Sequence, residues 1–116
     1  AAAGAAQRVY AIMRSMSVIK VHRQHQLGRE GARRAAYAWM RHAEKKYQAS
    51  CRYVAGREHD VVYFSRPQAD GQVRVGALAF DFEMELGWAL APFTGLIEDA
   101  VQRNFDALLR PRPLRK

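Results

Sequence analysis

The sequence has a single cysteine, Cys51, among its 116 residues and no long hydrophobic run. One cysteine cannot form an intramolecular disulfide, which argues against a disulfide-built secreted domain and favours a reducing cytoplasm. No apolar segment approaches the roughly 18 residues that span a bilayer, so no transmembrane helix is expected. A chain of this length can bury one hydrophobic core.

Acidic side chains are scarce relative to basic ones. The chain has 11 aspartates and glutamates against 19 lysines and arginines, which leaves a net charge of +8. This excess attracts nucleic acid, anionic lipid or another acidic surface, and it is concentrated in one predicted helix and in the C-terminal "RPRPLRK". No helix-turn-helix, zinc-finger or RNP signature is present, and a solubilising face is the alternative. The candidate anion-binding residues are Arg29, Arg33, Arg34, Arg41, Lys45 and Lys46.

No recognised catalytic motif occurs in the sequence. There is no G-x-S-x-G elbow, no H-E-x-x-H pair, no phosphate-binding glycine loop and no cysteine and histidine at a recognised spacing. We therefore expect a protein that is not an enzyme and that carries neither a cofactor nor a metal. The acidic row Asp81, Glu83 and Glu85 is expected to face water and basic residues such as Arg74 rather than a cation.

Hydrophobic periodicity predicts strands and helices in the order β-α-β-β-β-β-α. Residues 18–25 alternate as a half-buried strand, and apolar residues three or four apart after Gly28 indicate the first helix. The stretch "AFDFEMEL" alternates apolar and acidic residues as the last strand, and residues 97–109 carry the apolar stripe of the second helix. A turn at "PQADGQ", with fixed φ at Pro67 and positive φ at Asp70-Gly71, is expected between the third and fourth strands.

These elements predict an α+β fold. Both helices are expected to pack on the apolar face of an antiparallel sheet of about five strands, which makes a two-layer sandwich. The expected domain covers residues 17–110. An alanine-rich extension at 1–16 is expected outside the core, and a basic, proline-containing tail follows at 111–116. An open sheet edge allows a homodimer.

The stretch "VHRQHQLGREG" contains two histidines that could suggest a metal site. Positions three apart on a strand point to opposite faces, so His22 and His25 cannot bind one ion together without a bulge. His25 is expected on the inner face, where it bonds the backbone at the turn. His25, Leu27 and Gly28 are therefore predicted to form a structural corner between the first strand and the first helix.

An apolar bend, "LGWALAPF", precedes the second helix. Trp88, Leu90 and Phe93 are candidate residues for docking on a hydrophobic surface. The alternative is that these large side chains close the end of the core.

Three segments match the motifs of a known family: "IKVHRQHQLGREGARRAA", "VVYFSR" and "ELGWALAPFTGLIEDAVQRNFDALL". Through them the sequence resembles the polyhydroxyalkanoic acid system proteins, short bacterial proteins also called polyhydroxyalkanoate granule regulatory proteins. The resemblance implies a cytoplasmic, non-enzymatic protein linked to storage-polyester metabolism, at the granule surface or in its regulation. It implies no catalytic residue.

Three functions remain open from the sequence. The first is a binding or regulatory protein on polyester granules, whose partner is the granule surface or its coat and synthesis proteins. The second is a basic regulator that binds anions or nucleic acid, with an affinity that falls as salt rises. The third is a domain that binds a small acyl ligand between the sheet and the helices; a space filled by side chains would dismiss it.

Overall fold

The computed structural model of the protein describes residues 17–109. The predicted extension at 1–16 and the predicted tail at 111–116 lie outside the described residues. The helices and strands in chain order are β1 (Ser17–Gln24), α1 (Gly28–Tyr47), β2 (Ser50–Val54), β3 (Asp60–Arg66), β4 (Ala69–Val75), β5 (Ala79–Leu86) and α2 (Thr94–Leu109), with one 3-10 turn at Ala91–Phe93 before α2.

The strands form one antiparallel sheet in the order β1-β5-β4-β3-β2. The register places Val21 opposite Phe82, Phe82 opposite Val73, and Val73 opposite Val62, so one apolar row crosses four strands. The first strand in the sequence therefore pairs with the last. The predicted α+β sandwich and its order of elements are confirmed.

Both helices cover the apolar face of this sheet. Trp39 of α1 meets the rings of Phe64 and Phe82 edge-on, with centroids 5.2 and 6.3 Å away. Phe105 of α2 lies 5.8 Å from the ring of Phe80 and 6.1 Å from that of Phe82. Because aromatic side chains bury large areas, these contacts form the centre of the core.

The opposite face of the sheet is polar, and opposite charges lie across its strands. Lys20 on β1 forms an ion pair with Glu83 on β5 at 3.4 Å. Asp81 lies between His22, which contacts its carboxylate, and Arg74 on β4. Asp81 and Glu83 of the acidic row thus have basic partners on the neighbouring strands, and such cross-strand pairs stabilise a solvated sheet face.

Small residues contribute to the face of α1 that packs on the sheet. Ala32, Ala36 and Ala43 are buried. The helix begins at Gly28, whose φ of +71° is favourable for glycine and costly for a residue with a Cβ. The residue after its last, Gln48, caps the helix: it takes the left-handed conformation and donates its amide to the carbonyl of Ala43.

The turn between β3 and β4 differs from the sequence prediction. Asp70 and Gly71 lie within β4, and the turn comprises Pro67 and Gln68, with positive φ at Gln68. Gly71 is required for packing instead of for a turn, since a Cβ there would lie 2.2 Å from the carbonyl oxygen of Glu83. The turn contains Pro67 as predicted, but the positive φ predicted at Asp70-Gly71 was wrong. A strand glycine at a close backbone approach has the same sequence signal as a turn glycine.

Candidate functional site

A buried carboxylate, Asp60, ties α1 to the loop between β2 and β3. Its Oδ2 accepts hydrogen bonds from Arg33 Nε at 2.7 Å and from the Tyr53 hydroxyl. Its Oδ1 accepts from the Gly56 amide at 2.9 Å and from Arg29 Nη2 at 3.1 Å. Burial alone raises the pKa of this carboxyl, but the hydrogen bonds from Arg33, Tyr53 and Gly56 outweigh burial and lower the pKa below its ordinary value.

Asp60 reduces the cationic surface available on α1. Arg29 and Arg33, two of the six candidate anion-binding residues, both pair with its carboxylate. The remaining four are exposed, and none of them forms an ion pair with another described residue. These four, called here the outer cations of α1, are Arg34, Arg41, Lys45 and Lys46.

The corner between β1 and α1 is held by His25. The imidazole is buried, and its Nε2 lies 2.9 Å from the Gly76 carbonyl oxygen while its Nδ1 accepts from the Leu27 amide at 3.1 Å. This pattern assigns the ring proton to Nε2. His22 is on the other face of β1, with Asp81. Among residues 17–109, no group of three or more His, Cys, Asp or Glu side chains is placed to hold a metal ion.

The segment 88–96, called here the apolar segment, presents large hydrophobic side chains to water. Trp88 is 72% exposed, Leu96 69% and Phe93 49%. Leu90, by contrast, is half-buried and packs against the core. Of the three sequence candidates, Trp88 and Phe93 are therefore available at the surface, and Leu90 anchors the segment. Neither α1 nor α2 is long and apolar enough to cross a membrane.

Hydrogen bonds fix the backbone of the apolar segment. The Gly87 amide donates to the Gln68 carbonyl at 2.9 Å, and the Ala89 amide donates to the Gln68 side chain at 3.1 Å. At the other end, the Thr94 hydroxyl bonds Ser17 Oγ at 2.9 Å and the Ala91 carbonyl at 2.6 Å. The exposed side chains thus project from a turn that is already ordered, which lowers the entropy cost of binding through them.

A partly open cavity of about 220 Å³ lies between the two helices and the sheet. Leu90 and Leu96 of the apolar segment contribute to its wall, so the exposed surface continues into the interior. Its other apolar walls come from α1, the sheet and α2, and they include Trp39, Phe64, Phe82, Met84, Ile97 and Val101. The space between sheet and helices is therefore not filled by side chains.

Among the residues that the structure describes, one cation, Arg66, lines this apolar cavity. Arg66 is the last residue of β3 and lies on the face that the helices cover, opposite Ala69. Its Nε is buried and has no hydrogen-bond partner within residues 17–109. The guanidinium forms no ion pair with another described residue either. A buried hydrogen-bond donor without an acceptor is unfavourable. A ligand that supplied an acceptor to Arg66 would remove this cost.

Three residues of the candidate site were not predicted from the sequence: Asp60, Arg66 and Leu96. The sequence contained a signal for the first two. Asp60 and Arg66 have the same strand parity as the inward-facing Val62 and Phe64, and a charged residue on an inner face needs a partner or a ligand. Leu96 was missed because its exposure depends on how α2 is rotated against the sheet.

The comparison with protein families agrees with the resemblance carried by the sequence motifs. Residues 19–109 match the family model described as "Putative polyhydroxyalkanoic acid system protein (PHA_gran_rgn)". No curated protein and no solved structure matches the chain. The matched range contains α1, α2 and the sheet except the first two residues of β1. The chain therefore belongs to the polyhydroxyalkanoic acid system family.

Proposed function

We propose that this protein is a non-enzymatic binding protein of the polyhydroxyalkanoate system that attaches to storage-polyester granules through the apolar segment. The observation that carries the proposal is the exposure of Trp88, Phe93 and Leu96 within nine residues on an anchored turn. Clustered apolar side chains of this size mark interaction sites on soluble domains. The proposal implies a cytoplasmic location at the granule surface.

The exposed area is large enough to support attachment to an apolar solid. Trp88 is 72% exposed, so roughly 150 Å² of its surface faces water. At about 25 cal/mol/Å², complete burial of that area contributes nearly 4 kcal/mol. Burial of half of it contributes about 2 kcal/mol, which lowers a dissociation constant more than tenfold.

Two buried polar groups support a binding role over a catalytic one. His25 uses both ring nitrogens for backbone bonds at the corner. Asp60 uses both oxygens for Arg29, Arg33, Tyr53 and Gly56. Each group is therefore already committed to a structural contact.

Co-sedimentation of purified protein with polyhydroxyalkanoate particles tests the proposal. Purified components are needed because granules from cells also present coat and synthesis proteins. The test variant is Trp88→Gln with Leu96→Gln. The control is Leu78→Gln, since Leu78 is 76% exposed and lies at the opposite end of β5 from the apolar segment.

We expect the wild type and the control to sediment with the particles, and the double variant to bind at least tenfold more weakly. Attachment should persist when salt rises from about 0.1 M to 1 M, because hydrophobic burial is not screened by ions. Equal binding by the double variant and the Leu78→Gln control would exclude the apolar segment as the attachment site.

The outer cations of α1 favour a second candidate, a regulator that binds nucleic acid or another polyanion. Their exposure and lack of ion pairs with described residues leave four charges free to contact phosphates. Binding to duplex DNA should fall several-fold as salt rises, and Arg34→Glu with Arg41→Glu should weaken it. Salt-independent binding, or none at low salt, contradicts this candidate.

A further inference from the structure

The cavity combines an apolar wall with a single cation that lacks a partner among the described residues. We propose that it binds a carboxylate that carries an apolar chain of about eight carbons. The chain lies between the helices and the sheet, and the carboxylate pairs with the guanidinium of Arg66. This ligand site goes beyond attachment to granules and does not depend on it.

The cavity volume sets the length of the chain. An apolar protein cavity of about 150 Å³ accommodates benzene, which has six carbons. The present cavity has a volume of about 220 Å³, so simple scaling gives a ligand with roughly eight or nine carbons. A ligand of this size would contact Trp39 on α1 and Val101 on α2, which face the cavity from the two helices.

The charge of the cavity sets the head group. Within residues 17–109, Arg66 is the one positively charged residue in its lining, and no acidic residue lines it. A guanidinium in an apolar wall attracts an anion, and its planar donors match the two oxygens of a carboxylate. A phosphate, with more charge and more acceptor oxygens, would need several cationic partners. One arginine suits a monovalent carboxylate.

The position of Arg66 sets the orientation of the ligand. Ala69 lies opposite Arg66 on one side and opposite Leu86 on the other, so the cation lies at the sheet end from which the apolar segment departs. The carboxylate would therefore lie near that end, and the chain would point toward Phe64 and Phe82. Leu96, which lines the cavity and is 69% exposed, would lie at the rim.

Tryptophan fluorescence can follow this binding in the full chain. The chain has two tryptophans. A Trp88→Phe background leaves Trp39, in the cavity wall, as the reporter. The probes are octanoate, methyl octanoate and butyrate, with no polyester particles present. Octanoate and methyl octanoate share one chain and differ in charge, whereas butyrate retains the charge on a shorter chain.

We expect octanoate to change the Trp39 emission saturably and to bind at least tenfold more tightly than methyl octanoate or butyrate. Arg66→Met should lower the affinity for octanoate roughly tenfold and leave that for methyl octanoate unchanged, while Arg66→Lys retains part of the preference. Arg74→Met is the matched control, because it removes the same charge from the polar face of the sheet.

Absence of an octanoate response, or equal affinities for octanoate and methyl octanoate, overturns the proposal. So does an unchanged octanoate affinity in a folded Arg66→Met variant. If Arg66→Met does not fold, the affinities of the Trp88→Phe protein for octanoate and methyl octanoate decide whether the proposal holds. Because no particle is used, failure here is distinct from failure of granule attachment.

Discussion

Replacement of Asp60 by asparagine removes the charge that holds Arg29 and Arg33 against the loop before β3. The amide nitrogen must take the place of Oδ1, where it faces the Gly56 amide and Arg29, or of Oδ2, where it faces Arg33 Nε and Tyr53. Only the Tyr53 hydroxyl can turn to accept, so either orientation places a donor against a donor. The variant thus loses the charge and at least one hydrogen bond.

The expected loss of stability is substantial because Asp60 is 1% exposed. Breaking a buried charge pair costs about 3–5 kcal/mol. The lower end of this range applies, because the side chains of Arg29 and Arg33 are about one-third exposed and water can solvate them once the carboxylate is gone. We therefore expect the free energy of unfolding to fall by about 3 kcal/mol at pH 7, and the Tm by roughly 10–20 °C.

The effect should depend on pH with a definite sign. The folded pKa of Asp60 lies below its ordinary value of 3.8, so the unfolded chain takes up the proton first. The ionised Asp60 carboxylate therefore stabilises the fold fully at pH values above its ordinary pKa. This stabilisation is lost as the pH falls from the ordinary pKa toward the lower pKa of the folded protein. At pH 3 the difference in free energy of unfolding between the wild type and Asp60→Asn should be about 1 kcal/mol smaller than at pH 7.

Urea denaturation, monitored by circular dichroism at pH 7 and at pH 3, measures this difference in free energy of unfolding. Asp106→Asn is the matched control, because Asp106 pairs with Arg23 but its side chain is 55% exposed. That change should cost less than about 1 kcal/mol. A variant at Asp60 that is as stable as the wild type at pH 7, or a gap that stays constant between pH 7 and pH 3, would refute the reasoning.

Two further substitutions test the packing that positions the site. Gly71→Ala should destabilise the protein by roughly 1–3 kcal/mol in thermal denaturation, because a Cβ would overlap the Glu83 carbonyl, whereas Gly95→Ala, with open space around it, should not. Equal Tm values for the two variants would contradict this account of Gly71. His25→Leu should cost about 2 kcal/mol, since it leaves the Leu27 amide without its acceptor, and a Tm within one degree of wild type would disprove that role.

The elements of the fold were predictable because each has a local signal. The three- and four-residue spacing after Gly28 predicted α1, and strict alternation predicted β5. Their arrangement followed from the single apolar face, which both helices must cover. The failure at Asp70-Gly71 shows the limit of such reasoning, since the close approach of β5 to Gly71 is a contact across paired strands that local sequence patterns do not show.

The candidate site was predictable only in part. Trp88 and Phe93 were named as candidates because large aromatic side chains in a bend either close the core or face the surface. Which of the two occurs depends on tertiary packing, and both side chains are exposed. The two arginines that pair with Asp60 looked the same in sequence as the outer cations of α1. The cavity beside Arg66 could not be inferred, because volume depends on how far α1 and α2 stand apart over the sheet.

Trp88 itself provides the most direct test of granule attachment. In a Trp39→Phe variant it is the remaining tryptophan of the two in the chain, and it is 72% exposed in the free protein. On polyhydroxyalkanoate particles, its emission should shift to shorter wavelength and become protected from an aqueous quencher such as acrylamide, because the indole leaves water. Particle-bound protein whose Trp88 emission and quenching are unchanged would contradict attachment through the apolar segment.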